Sequence, residues 1–90
     1  MKTIYVFHKP LCGACGILQR FLTSRRIDYN AIDGTTAEGV TFMRTNGIFL
    51  SYYPAMCLDG RLYEYSDLFD EKGELLADHI LEILEKDVVL

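Results

Sequence analysis

The stretch "HKPLCGACGILQ", residues 8–19, places two cysteines, Cys12 and Cys15, with only Gly13 and Ala14 between them. Such a pair serves as a metal clasp, a structural disulfide or a redox thiol pair, and its surroundings decide among these. Upstream, "TIYVFH" (Thr3 to His8) is a β-branched and aromatic run that stops at Pro10, the pattern of a buried strand. Downstream the period changes. From Cys15 onward Leu18, Phe21, Leu22 and Arg25 share one helical face, with Ile17 beside them. That helix is expected to end near Arg26, where two arginines suit the negative end of its dipole. Cys12 therefore falls where a strand has ended and a helix begins.

The remaining elements follow from the same kinds of signal. "IDYNAID" (27–33) alternates and reads as a short strand. Thr35 or Thr36 caps a short second helix that Gly47 closes, weakened by its threonines and Gly39. "YPAMCLDGRLYEY" (53–65) is a hairpin turning on Asp59-Gly60, a pair suited to the positive φ angles of a type I′ turn. A final helix is expected over 72–87, with Leu76, Ile80, Ile83 and Leu84 as its apolar stripe. The order is β-α-β-α-β-β-α. The first two strands form a right-handed parallel crossover. The hairpin adds antiparallel strands, so the expected fold class is α/β, a four-stranded mixed sheet flanked by helices.

Ninety residues, half of them hydrophobic, allow a single domain over 1–90 with one modest core. The net charge of -4 argues against a nucleic-acid partner. The charge is uneven: residues 1–58 carry +3 and residues 59–90 carry -7. The simpler reading is a solvated acidic face on the last helix, and the sharper one an acidic docking surface for a basic partner. "TIYVF" is too short for the apolar region of a signal peptide, and no apolar run approaches a membrane span. A cytoplasmic location is expected, where structural disulfides are rare. Three cysteines also make a poor disulfide framework.

Those boundaries leave redox or metal chemistry for the pair. The first turn of a helix has unpaired N–H groups and a partial positive charge. A thiolate at Cys12 is stabilised there, and Lys9 adds a further positive charge. Cys15, one turn on, is close enough to bridge back, and the small Gly13 and Ala14 leave the outer sulfur open. Cys12 is the expected nucleophile and Cys15 the resolving thiol.

The element order, the Cys-Gly-Ala-Cys opening of the first helix and Pro54 before the hairpin resemble the thioredoxin superfamily. The short form is similar to glutaredoxins and glutaredoxin-like thioredoxins, across nearly the whole chain. The resemblance implies a cis peptide bond at Pro54, facing the cysteines. It implies backbone hydrogen bonds from Tyr53 to a substrate, and matches Lys9 to the lysine many glutaredoxins use for the glutathione carboxylate. Leu11, Gly13 and Ala14 take the substrate-facing positions around the nucleophile. The implied activity is reduction of protein disulfides, with no cofactor, no bound metal and a monomeric chain. Electrons come from a separate reductase or a small thiol.

The sequence departs from both branches of the family. Gly-Ala stands where glutaredoxins usually have Pro-Tyr, and Tyr52-Tyr53 precede the proline. The glycine pair that helps hold glutathione is absent from "LYEYSDLFD" (62–70), where Asp67 is the stand-in for the family's aspartate. Thioredoxins carry a tryptophan before the first cysteine, and this chain has Leu11 there and no tryptophan. No acid lies in the first strand, so His8 is the nearest titratable neighbour of the pair. Two alternatives stand beside disulfide exchange: a glutathione-dependent glutaredoxin, and a metal or iron–sulfur module in which Cys57 or His8 adds to Cys12 and Cys15. Cys57 otherwise reads as a small buried hydrophobe sharing a face with Ala55. Tyr63 and Tyr65 are expected on one face of the fourth strand, and His79 on the edge of the last helix's apolar stripe.

Overall fold

The computed structural model describes residues 3–86, with the side chain of residue 86 outside that description. Its elements are β1 (Ile4–His8), α1 (Gly13–Ser24), β2 (Asn30–Asp33), α2 (Ala37–Thr45), β3 (Ala55–Leu58), β4 (Arg61–Tyr63), α3 (Tyr65–Leu68) and α4 (Ala77–Lys86). The four strands make one sheet in the order β2-β1-β3-β4. β1 runs parallel to β2 and antiparallel to β3, and β3 runs antiparallel to β4. The mixed α/β architecture is therefore the expected one, with one short helix, α3, added to it. Among the described residues no helix is long and apolar enough to cross a membrane.

Alternation along the two central strands divides the core. Ile4 and Val6 of β1, with Met56 and Leu58 of β3, face α1 and α4. Leu18, Leu22, Ile80, Ile83 and Leu84 complete that side. Phe7, Ala55 and Cys57 face the other way, against Ile48 and the α2 residues Phe42 and Met43. Cys57 is thus buried with Ala55, as its register dictates.

The hairpin forms on Asp59 (φ 48°) and Gly60 (φ 86°), both in the left-handed region that a type I′ turn needs. Asp59 also ties the turn to the start of β1. Its carboxylate accepts the Thr3 N–H at 3.0 Å, and its own N–H donates to the Thr3 carbonyl at 3.2 Å.

α2 begins as its sequence suggests. Thr36 is its N-cap, the hydroxyl accepting the Gly39 N–H at 2.9 Å. Gly47 (φ 68°) ends it, with the Ile48 N–H reaching back to the Met43 carbonyl at 2.8 Å. Gly39 has a role beyond weakening a helix. A Cβ there would strike the Asp33 carbonyl, so its absence lets α2 sit directly on the end of β2.

Four boundaries differ from expectation, each for a local reason. α1 starts at Gly13 and ends at Ser24, two residues before Arg26. Arg26 instead takes a left-handed conformation (φ 58°), and its N–H and that of Ile27 return to the Thr23 and Leu22 carbonyls. That wrap consumes the Ile27 N–H and delays β2 to Asn30.

β4 stops at Tyr63 because Asp67 reaches back to accept the Glu64 N–H at 2.9 Å, opening α3. Tyr65 therefore lies on α3, although it still packs against the same core side as Tyr63.

The last helix starts at Ala77 rather than Lys72. The Asp70 carboxylate accepts the Lys72 and Glu74 N–H groups at 2.8 and 2.9 Å, and Gly73 turns with φ 80°. Asp87, the far end of the expected helix, lies outside the described residues. His79 is exposed, not at the edge of the core.

Candidate redox site

The β1–α1 junction builds the site. The chain leaves β1 at His8, passes Lys9 and Pro10, and enters α1 through Leu11 and Cys12. Leu11 has φ 57°, a left-handed conformation that is costly for a leucine, and its side chain is fully exposed. Cys12 is the N-cap of α1. Its sulfur accepts the Cys15 N–H at 3.2 Å, and its carbonyl accepts the first helical bond, from Gly16, at 3.3 Å. One orphan donor of the helix start, the Cys15 N–H, therefore points at sulfur, an arrangement that stabilises negative charge there.

Cys12 and Cys15 are joined as a disulfide, their Cα atoms 5.3 Å apart. The two sulfurs are not equivalent in their surroundings. Cys15 is buried at 2% exposure, whereas Cys12 is partly open to solvent. Gly13 is exposed, with open space where a Cβ would sit. Ala14 is half-buried and packs against the core on the α1 side of the sheet.

The loop before β3 closes the other side. The Tyr53–Pro54 bond is cis and Pro54 is fully buried. The Tyr53 carbonyl oxygen lies 3.9 Å from Cys12 Sγ. The neighbouring tyrosines diverge. The Tyr53 ring turns toward β2, with its hydroxyl end over Gly34 and the Lys9 ammonium 5.8 Å from its centroid. The Tyr52 ring turns the opposite way, toward Tyr65, and is largely exposed. Burial, and secondarily the nearby Asp33 carboxylate, raise the Tyr53 phenol above its ordinary value, so the ring is neutral at physiological pH.

Gly34 carries no signal in the sequence beyond preceding the Thr35–Thr36 cap of α2. The structure makes it the seat of Tyr53. Its N–H donates to the His8 carbonyl at 2.9 Å, and any Cβ would collide with the Tyr53 hydroxyl. Asp33 beside it is held below the usual carboxylate range, first by hydrogen bonds from the Thr35 hydroxyl and N–H at 2.6 and 2.9 Å. The expected result for Gly34→Ala is a loss of about 1–3 kcal/mol in urea unfolding, the usual cost of overpacking. Adding Tyr53→Phe should recover part of that loss, because the variant removes the atom in the way. Full additivity of the two changes would contradict the contact.

The other sequence candidates separate. His8 is half-exposed at the end of β1, in register with Asp33. Cys57 lies across the sheet from α1, in the core on the α2 side. Among the described residues no three His, Cys, Asp or Glu side chains converge as a metal site, so neither Cys57 nor His8 joins the pair to form one. Asp67 spends its carboxylate on the start of α3.

No protein-family model matches the chain, and no curated protein matches it. Its likeness is in three dimensions. The crystal structure of a mutant of the thioredoxin-like protein BC3987 superposes with a TM-score of 0.66, at 18% identity, over 91% of this chain and 99% of that one. At that identity the match speaks for the fold alone. The four-stranded mixed sheet with its helices fits that match: the chain has a thioredoxin-like fold.

Proposed function

We propose that the protein is a thiol–disulfide oxidoreductase that reduces disulfides in other proteins. The observation that carries this reading is the asymmetry of the pair. Cys12 is accessible at the positive end of α1, while Cys15 is buried one turn away within bonding reach.

The chemistry starts from the reduced pair. The Cys12 thiolate attacks one sulfur of the substrate disulfide, and that S–S bond breaks. The departing substrate sulfur takes up a proton, leaving a mixed disulfide on Cys12. Cys15 then loses its proton and attacks the Cys12 sulfur. The second substrate thiol leaves, and the Cys12–Cys15 bridge remains. The substrate has gained two electrons and the pair has lost two. A separate reductase or a small thiol returns them.

Leu11 and the Tyr53–Pro54 backbone flank the attacked sulfur and form the substrate edge. Lys9, seated over the Tyr53 ring, adds positive charge on the β2 side.

Glutathione is a weaker reading of the substrate. The segment in which the family carries a glycine pair holds Glu64 and Tyr65 in this chain.

Reduced protein mixed with a disulfide-bonded protein should yield two new substrate thiols per Cys12–Cys15 bridge formed. Substrate that stays oxidised would remove this reading. The pH profile of Cys12 alkylation tests the role of the helix start. Its midpoint should fall below the ordinary thiol value of about 8.5. A midpoint at that value would mean the helix start does not activate the sulfur.

A further inference from the structure

Past the end of β4 lies an open depression of about 440 Å³ lined by Ser51, Tyr52, Glu64, Tyr65 and Ser66. A row of three rings starts in it. Tyr52 lies 6.5 Å from Tyr65 between centroids, and Tyr65 stacks on the buried Phe69 at 4.9 Å and 10°. The row begins one residue from Tyr53, whose carbonyl meets Cys12 Sγ. It continues into a second depression that shares Tyr65 and Ser66 and is rimmed by Asp70 and Glu71. Aromatic and acidic residues thus line the same depressions, and residues 59–90 carry a net charge of -7. Lys9, on the opposite side of Tyr53, contributes nothing to this wall.

Ring faces bordered by carboxylates attract cations. A guanidinium can stack on a tyrosine while pairing with a carboxylate. We propose that this groove binds an arginine or lysine side chain flanking the target cystine of a substrate protein. It would disfavour glutathione disulfide, whose free carboxylates would meet Glu64. The proposal rests on the disulfide-exchange reading and names the substrate class for it.

The test uses pre-reduced protein in single turnover with synthetic disulfide peptides. The peptides are identical except for Arg, Gln or Glu flanking the cystine, and glutathione disulfide is run beside them. The Arg peptide should react about fivefold faster than the Gln peptide, as one exposed charge pair and one cation–π contact allow. The Glu peptide and glutathione disulfide should be slower than Gln. Glu64→Gln and, separately, Tyr52→Ala should bring the Arg-to-Gln ratio within about twofold, the second variant being exposed enough to spare the core. Glu38→Gln, on α2 across the sheet, changes the net charge equally and should keep the ratio.

Equal rates for all three peptides would overturn the groove and leave disulfide exchange standing. So would a ratio that falls as far in Glu38→Gln as in Glu64→Gln, which would assign the preference to net charge. Failure to reduce any peptide would overturn both.

Discussion

Serine at position 12 should abolish reduction of protein disulfides, a loss on the order of a thousandfold or more, the scale on which removing a nucleophile is felt elsewhere. Serine at position 15 should behave differently. Cys12 can still attack, but no buried thiol is left to resolve the product. Cys15→Ser should therefore accumulate a mixed disulfide with its substrate, seen as a covalent adduct that added reductant removes. The contrast is the informative part, because the sulfurs differ in burial and in helix position rather than in chemistry. Similar residual turnover in the two variants would show that the sulfurs are interchangeable. A trapped adduct on Cys15 in the Cys12→Ser variant would reverse the assigned roles.

Gly39→Ala should destabilise the fold, against the expectation from helix propensity. Inside a helix alanine is favoured over glycine by about 1 kcal/mol. Here the new methyl group would meet the Asp33 carbonyl, a backbone atom that has no alternative rotamer. Overpacking of this kind costs about 1–3 kcal/mol and occasionally more. At the upper end of that range the net loss is about 2 kcal/mol. For a domain of this size that lowers the melting temperature by about 10 °C. A melting temperature that rises instead would mean that α2 stands off from the end of β2. The Thr36 cap and the Gly34 seat of Tyr53 belong to the same connection, so movement of α2 should be felt at the site as well.

Much of this arrangement can be read in the sequence because the signals are local. The β-rich run ending at Pro10, the change of period at Cys15 and the Asp59-Gly60 turn each specify their own geometry. Together they place Cys12 at a strand–helix junction. Pro54 and Tyr53 entered through resemblance, and the structure brings the Tyr53 carbonyl to the sulfur.

The unread parts depend on where backbone groups find partners. An apolar stripe favours a helix from Lys72, but Gly73 turns with φ 80°, outside the helical region, and the Asp70 carboxylate holds the Lys72 and Glu74 N–H groups in that turn. Asp67 ends β4 in the same way. Arg26 ends α1 in a conformation more often given to glycine, which no pattern of hydrophobicity records. Tyr52 and Tyr53 lie in the bend before β3, where strand alternation does not apply. What each ring meets, Tyr65 or Gly34, depends on long-range packing that a single sequence does not display.

The most direct test of the central claim is a redox titration of the purified protein, with free thiols trapped and counted by mass at each potential. Cys12 and Cys15 should gain and lose two electrons together and reversibly, within about -120 to -270 mV, the span of known oxidoreductases of this kind. Cys57 should stay a thiol throughout, buried across the sheet. A Cys12–Cys15 bridge that neither opens nor re-forms anywhere in that span would contradict the account.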